Sequence, residues 1–225
     1  MQLYLNKTEQ IHYTAKQLSC FFPCRNEKET REEIATYIDS AYERLEYCFS
    51  RISIKYYHKN ENVFFSPLIT DQYATFLYFL ANSIAVKSDN KELADRLYAL
   101  NKALHGLDVY YEVKLPQIFL LVHTVGTVLG RAHYEDYLVV YQGVTVGGNL
   151  KLEYPTIGKE VGLFANSKII GNVIIEDRAM ISAGALLMDS KVPAQHVCFG
   201  THPNTQCKPL KKSITKHYFQ GKNEN

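Results

Sequence analysis

Residues 157–192, cut every six, read IGKEVG, LFANSK, IIGNVI, IEDRAM, ISAGAL and LMDSKV. Every block opens on an aliphatic side chain: Ile157, Leu163, Ile169, Ile175, Ile181 and Leu187. The fifth places are Val161, Ser167, Val173, Ala179, Ala185 and Lys191, mostly small or β-branched. This unbroken pattern matches neither the ~3.6-residue period of an α-helix nor the roughly two-residue period of a strand. It is the signature of a hexapeptide-repeat β-helix. Each hexad forms one short strand and one corner, and three hexads close a triangular coil of about eighteen residues. The first residue points into the prism, and the fifth is small because it sits near a corner. Stacked coils pair their backbones at roughly 4.8 Å. One coil cannot bury its own apolar face, so several are required. Chance spacing in an ordinary parallel sheet is the competing reading, and the unbroken run argues against it.

Upstream, Val139 and Gly143 fall in the same phase, whereas Thr145 and Lys151 interrupt it. The interruption predicts a loop leaving the prism around 147–154 and a β-helix over about 113–205. The N-terminal half has a different pattern. Ile34, Ile38, Tyr42, Leu45 and Cys48 recur at helical spacing within Glu27–Arg51. Ile52–Pro67 reads as a short extended stretch or a loop. Ser66-Pro67 then opens a helix over Leu68–Val86, and a third runs from about 90 to 104. Asp89-Asn90 supplies an N-cap for it, and His105-Gly106 a stop. The fold class expected is α+β: a helical domain over 1–107, a parallel β-helix over 108–207 and a polar tail over 208–225.

Composition excludes several classes. The chain has 225 residues, 46% hydrophobic and 21% charged, so whole-chain disorder is out. Lys+Arg 25 against Asp+Glu 23 leaves a formal charge of +2, which is no broad footprint for nucleic acid. No apolar run is long enough to act as a signal peptide or to span a bilayer; the segment Gln117–Gly130 is cut by His123 and glycines. A cytoplasmic protein is expected. The five cysteines, Cys20, Cys24, Cys48, Cys198 and Cys207, are odd in number and irregularly spaced. Free thiols in a reducing compartment are the simple reading. Cys20 and Cys24 lie one helical turn apart, but two sulfurs alone make a poor zinc site.

The stretch Asp108–Gly148, DVYYEVKLPQIFLLVHTVGTVLGRAHYEDYLVVYQGVTVGG, resembles the serine acetyltransferase branch of the hexapeptide acyltransferases. So does Tyr154–Leu187. The combination of HTVG, YQGVTVGG and PTIG carries the resemblance, mainly over 105–200. It implies a left-handed β-helix, although parallel crossovers are ordinarily right-handed. It also implies acetyl-CoA as co-substrate, a small-molecule acceptor, and a homotrimer with sites between adjacent prisms, two such trimers pairing in some arrangements. His123 occupies the position of the family's general base, and Asp108 that of its orienting carboxylate. Ala165 and Ala183 sit where the family places small residues beside CoA; apart from the resemblance, glycine at 147 and 148 (Gly147 and Gly148) lets an extended arm approach the backbone closely, and the basic cluster Lys208, Lys211 and Lys212 suits the CoA phosphates.

The chemistry stands independently of the resemblance. An alcohol is too weakly acidic to lose its proton at neutral pH, but a neutral imidazole accepts it as the oxygen attacks a thioester. A carboxylate on the far ring nitrogen fixes the tautomer. A backbone N–H at the Gly147-Gly148 turn suits a developing oxyanion. Each residue also has an ordinary reading: His123 as a core or surface histidine, Asp108 as a turn residue, the glycines and alanines as corner residues, and Lys208, Lys211 and Lys212 as a solvated tail. His105, His123, His133, His196 and His202 prompt comparison with the β-helical carbonic anhydrases, but no spacing here reproduces their three-histidine zinc site. No metal is expected. Of the 17 tyrosines, those at 110, 111, 134, 137 and 141 read first as packing residues.

The pattern departs from the family at the acceptor side. Val122 stands where the family has an Asp that meets the acceptor's amino group, and Glu153-Tyr154-Pro155 where it has an Arg-His-Pro run whose Arg holds the carboxylate. A retained donor half with a changed acceptor half admits a sugar hydroxyl or amine as the alternative acceptor. A trimeric scaffold with no catalysis is the reading from another class. The family's sulfhydrylase-binding tail ends in Ile, whereas this sequence ends Gly221-Lys222-Asn223-Glu224-Asn225, so that partnership is not expected.

Overall fold

The computed structural model describes residues 1–23, 26–89, 91–213 and 215–220. The helical half runs β1 (Gln2–Leu3), α1 (Lys7–Phe21), α2 (Glu27–Phe49), a 3-10 turn (Lys55–Tyr57), β2 (His58–Lys59), β3 (Asn62–Phe65), α3 (Thr70–Lys87) and α4 (Glu92–His105). A capping box starts α1: Asn6 Oδ1 accepts the Glu9 N–H at 3.0 Å, and the Glu9 carboxylate accepts the Asn6 N–H at 2.8 Å. On α2, Ile34, Ile38, Ala41, Leu45 and Cys48 form the buried row. The central helix is α3, buried almost all round from Gln72 to Ile84 and packed between α2 and α4. Residue Lys91 occupies the position before α4, and its side chain makes no capping bond. Asn90 and Cys24 lie outside the described residues. Gly106, at φ 61°, ends α4 in the left-handed conformation that a residue with a Cβ adopts only at a cost. The expected extended stretch before α3 is the β2–β3 hairpin, with β1 parallel to β3 on its other side.

From Gly106 the chain winds into a parallel β-solenoid. Its strands are β4 (Leu107–Asp108), β5 (Phe119–Val122), β6 (Thr127–Leu129), β7 (His133–Tyr134), β8 (Leu138–Tyr141), β9 (Thr145–Gly147), β10 (Thr156–Ile157), β11 (Gly162–Leu163), β12 (Lys168–Ile170), β13 (Ile174–Ile175), β14 (Met180–Ile181), β15 (Leu186–Met188), β16 (Lys191–Val192) and β17 (His196–Phe199). They sort into three parallel sheets, in the orders β5-β8-β11-β14-β17, β4-β6-β9-β12-β15 and β7-β10-β13-β16. Four complete three-strand coils result, with β4 adding a rung at one end and β17 at the other. The predicted interior ladder is present: Ile157, Leu163, Ile169, Ile175, Ile181 and Leu187 are all buried. Each buried aliphatic side chain contributes about 1.5–3 kcal/mol relative to exposure.

Upstream of the loop the expected phase is corrected by one residue. Val140 stacks on Leu163 and Val146 on Ile169, so these two, not Val139 and Thr145, continue the interior ladder. Val144, not Gly143, takes the small corner place aligned with Ser167. Eleven positions separate Val146 from Ile157 where an unbroken hexad has six, because the loop between β9 and β10 interrupts the count. Val139 is buried all the same, because α5 (Thr215–Tyr218) packs on β8.

The chain beyond 205 is tied in. Strand β18 (Gln206–Pro209) folds back antiparallel on β17, so the expected boundary at 207/208 falls inside a strand. That hairpin sets Cys198 opposite Cys207, and the two are joined by a disulfide; the expectation of free thiols is corrected there, while Cys20 and Cys48 are free. After α5, Phe219 bridges to Ile52, and the Ser53 N–H donates to the Tyr218 carbonyl at 2.8 Å. The sequence end at 221–225 lies outside the described residues. Among the described residues, no helix is long and apolar enough to cross a membrane.

Candidate functional site

The three faces of the solenoid meet at corners, and the corners stack in columns. The column between the β5-containing and β4-containing sheets carries His123, Ala165 and Ala183 of the predicted site. In it the Gly126 N–H donates to the Gly106 carbonyl, Gly143 to Val125, Asn166 to Gln142, and Gly184 to Ala165. His123 lies at the start of this corner in the first coil, exposed and in the left-handed region at φ 54°. Ala165 and Ala183 occupy the equivalent corner two and three coils further on, so the structure brings these three positions into one line. Lys208 reaches the far end, its Nζ 5.3 Å from the centre of the Phe199 ring, just before the last corner at Gly200.

Gly147 and Gly148 belong to the next corner. They are separated from the His123 column by the width of the strip β6-β9-β12-β15, whose outer face carries Val128, Thr145, Lys168 and Leu186. A Cβ on Gly147 would meet nothing within 4 Å, whereas on Gly148 it would lie 2.7 Å from Tyr154 Cε1. The first glycine therefore opens onto free space, and the second lets Tyr154 pack on the backbone. Gly184 in the His123 column is open in the same way. The backbone is thus open at both edges of the flat strip, at Gly147 and at Gly184.

The loop after Gly148 is braced. Asn149 Nδ2 donates to the Glu153 carboxylate at 2.7 Å, and Asn149 Oδ1 accepts the Lys151 and Glu153 N–H groups. Arg131 stacks over the Tyr154 ring, 5.2 Å from its centre, and donates to its hydroxyl at 3.0 Å. Sequence reading singled out Glu153-Tyr154 for a missing arginine. Folding brings Arg131 there from 23 residues away.

Val122 has a packing explanation. It ends β5 directly beneath Tyr141, whose ring stacks on Phe164 at 4.8 Å. The hydroxyl of Tyr141 meets that of Tyr218, so the returning C-terminal turn covers the same aromatic stack. An aspartate at 122 would desolvate its charge against these rings.

Asp108 sits on β4 in register with Val128, at the near end of the strip. Its two carboxylate oxygens accept from the Tyr98 hydroxyl and the Lys102 ammonium, each at 2.6 Å. Burial pushes the Asp108 carboxyl up, but these two donors together hold it below the usual range. The structure thus places Asp108 and His123 at the same end of the same strip, with no hydrogen bond between them.

A residue that the sequence did not reveal touches His123 instead. Asp71, in the first turn of α3, accepts the His123 backbone N–H at 3.2 Å, and the Thr124 N–H also points at it. Burial pushes the Asp71 carboxyl up, and these N–H groups and the His123 ring pull it partly back. Among the described residues no cation lies within ion-pair distance of Asp71. Only an acidic residue in a helical first turn was legible locally, which is ordinary helix chemistry. Behind this corner, the Thr124 hydroxyl donates to the His105 carbonyl at 2.9 Å. The His105 ring is buried, bonds Asn101 Oδ1 through Nδ1 at 2.8 Å, and has its pKa pushed down to about 4 by burial. Among the described residues no three His, Cys, Asp or Glu side chains converge as metal ligands.

No family model matches the chain. Among curated proteins it is similar to the serine acetyltransferase of Synechococcus elongatus, 33% identical over 93 residues, which is 40% of this chain and 38% of that one. It is also similar to that of Staphylococcus epidermidis, 29% identical over 132 residues, 57% of this chain and 61% of that one. The chain thus spans less than two thirds of the length of these curated relatives. Among solved structures it superposes on the Brucella abortus serine acetyltransferase in complex with coenzyme A, with TM-score 0.69, 19% identity, and 93% and 84% of the two chains covered. A serine acetyltransferase in complex with cysteine gives TM-score 0.71 and 20% identity, with 96% and 84% covered. The resemblance read from the motifs therefore holds: the sequence is serine acetyltransferase-like, and the fold, helices followed by a β-solenoid, is the one those enzymes have.

Proposed function

We propose, from that likeness and the corner it places on view, that this chain is an acetyl-CoA-dependent O-acetyltransferase acting on a small-molecule hydroxyl, with L-serine the first acceptor to test. The observation that carries the reading is the exposed His123 at the head of a corner column whose later rungs are Ala165 and Ala183, beside a strip edged by open glycines. Acetyl-CoA supplies an acyl group already activated as a thioester. His123 accepts the proton of the acceptor hydroxyl and returns it to the departing thiolate, a role worth about 10²–10⁴-fold. The Gly148 N–H of an adjacent solenoid is the proposed oxyanion donor, because within one chain the strip separates it from His123. Lys208 is the proposed phosphate contact, and Val122, Glu153 and Tyr154 the acceptor wall.

Asp108 is the proposed orienting carboxylate. Taking that role means exchanging Lys102 or Tyr98 for the imidazole N–H, an exchange within reach because Lys102 is a half-exposed surface side chain. Asp71 meanwhile holds the main chain of the His123 corner. We place the enzyme in the cytoplasm, where acetyl-CoA is made, as a homotrimer with its site completed between adjacent solenoids; pairing of two such trimers through the helical domains is a further possibility to test by mass measurement. In a reducing cytoplasm the Cys198–Cys207 pair would be open.

A sugar acceptor is the second reading. It is favoured by Val122 under the Tyr141 ring and by the Glu153 carboxylate at the loop, neither of which suits the two charged ends of an amino acid. Arg131 on Tyr154 favours an anionic acceptor and so supports serine. The deciding experiment follows CoA-thiol release from acetyl-CoA with serine and with free and nucleotide-linked sugars. Turnover with serine supports the first reading, and turnover with sugars alone the second. No turnover together with no CoA binding by calorimetry would leave the trimeric scaffold.

A further inference from the structure

A second place in the molecule carries unneutralised positive charge in a groove, away from His123. Arg44 lies on α2, facing α3 beside the segment that leads from β4 to β5. Its Nη1 donates to Asn82 Oδ1 at 2.8 Å, to Ser83 Oγ at 3.1 Å and to the Phe79 carbonyl at 3.4 Å. The guanidinium carbon stands 4.3 Å above the Phe79 ring. Every one of these partners is neutral. Among the described residues no carboxylate lies within ion-pair distance of Arg44. Burial pulls the guanidinium down from its usual range, and the Tyr78 hydroxyl offsets this only in part. A half-buried cation ordinarily recruits an anion to offset its desolvation, and this one has recruited only dipoles.

The groove above it has a volume of about 380 Å³. That is within the size range of small-molecule sites. Its charged groups are Arg44 from α2 and Glu112 and Lys114 from the connecting segment; Tyr78 from α3 and Tyr111 add phenols. Lys114 is exposed and has no ion-pair partner among the described residues. Glu112 is already matched, its carboxylate 2.5 Å from the Lys91 ammonium. The two phenols are already engaged within the protein: Tyr78 donates to the Val113 carbonyl, accepts the Leu115 N–H and is bonded to Arg44, and Tyr111 donates to Asp95. The mouth is thus net positive, while Val86 and Leu115 supply apolar wall.

We propose that this groove is a binding site for a small organic anion, whose single carboxylate or phosphate head meets Arg44 and Lys114 while an apolar body lies on Val86 and Leu115. Arg44 lines the groove with its Nη1 on Asn82, Ser83 and the Phe79 carbonyl and with the Tyr78 hydroxyl also bonded to it, so an entering oxyanion would be the first charged partner of the fork. A planar fork and a nearby ammonium bind either head group, so the chemistry shared by both is an oxyanion. The site does not depend on the proposed acetyl transfer and would hold if that reading failed.

The test is calorimetric titration of the full chain with three probes sharing one tail: sodium hexanoate, hexyl phosphate and uncharged hexanol. Saturable binding of hexanoate or hexyl phosphate, without hexanol, is expected, and the stronger of the two names the head group. Lys114→Glu is expected to weaken that binding by about 10-fold or more, with an unchanged melting temperature, because Lys114 is exposed and supports no fold contact. Arg44→Lys keeps charge but loses the fork and is expected to weaken it as well. If Arg44→Lys does not fold, Lys114→Glu decides alone. No saturation by either anion at about 10 mM, equal binding by hexanol, or unchanged affinity in Lys114→Glu would each overturn the proposal.

Discussion

The contact between Asp71 and the His123 corner can be tested by comparing two substitutions at one position. Asp71 accepts the His123 N–H at 3.2 Å and also faces the Thr124 N–H. Asn in its place keeps an acceptor oxygen and loses the charge. The bonds to a charged acceptor weaken by about 1 kcal/mol, but the desolvation of a carboxylate disappears, so Asp71→Asn should lie within about 1 kcal/mol of wild type at pH 7. Ala removes the acceptor altogether. His123 is exposed and water can serve its N–H, but Thr124 is only 4% exposed and its N–H is stranded. Asp71→Ala should therefore lose about 1–3 kcal/mol, a fall in Tm of roughly 2–10 °C for a chain of this size. The pH dependence has a definite sign. The Asp71 carboxyl titrates above its ordinary 3.8 in the folded protein, so the folded state binds its proton more tightly than the unfolded state. Its contribution is most favourable below 3.8 and is lost as pH rises through the folded value. Wild type should gain on Asp71→Asn as the solution is acidified. Urea denaturation of the three proteins at neutral and acid pH measures both effects. Equal stability of the Asn and Ala variants, or a wild-type-to-Asn difference that does not change with pH, would refute the bonding described here.

Four further outcomes are expected. His123→Ala should lower CoA-thiol release by about 10²–10⁴-fold with Tm unchanged, because His123 is exposed; full turnover would remove it as the base. Gly147→Ala, with open space at its Cβ, should keep its Tm and raise the KM for acetyl-CoA, whereas Gly148→Ala must displace the Tyr154 ring at 2.7 Å and should also lose stability. Circular-dichroism melts and initial rates separate the two. His105, at about 4 against an ordinary 6.5, is neutral when folded, so its contribution is complete above 6.5 and lost as pH falls toward 4. His105→Gln should flatten that part of the stability profile, which is worth up to about 3 kcal/mol. Lys102→Met frees one Asp108 oxygen and removes the cation that helps keep the carboxyl ionised, so the acid limb of kcat/KM should move to higher pH if Asp108 serves His123. An unmoved limb would leave Asp108 a structural partner of α4.

The solenoid was legible in the sequence because its geometry is local and periodic. A coil needs one inward aliphatic residue per hexad whatever the rest of the chain does, so Ile157 through Leu187 declare themselves. The stop at His105-Gly106 was legible for the same kind of reason, since a left-handed cap favours glycine. His123 and the alanines at 165 and 183 could be picked out by motif, and the closed coil then explains why residues 18 apart in sequence share one corner. Local reading failed wherever an interruption reset the count or a partner came from far along the chain. The loop between β9 and β10 shifted the ladder from Val139 to Val140. Nothing near Asp71 says that it will meet His123, 52 residues on. Arg131 over Tyr154, Cys198 opposite Cys207 in an antiparallel return, and Lys102 with Tyr98 on Asp108 are likewise products of packing. Periodicity constrains the backbone and is written in neighbouring residues, whereas the partner of a charge is set by which surfaces close on it, and only the folded chain determines that.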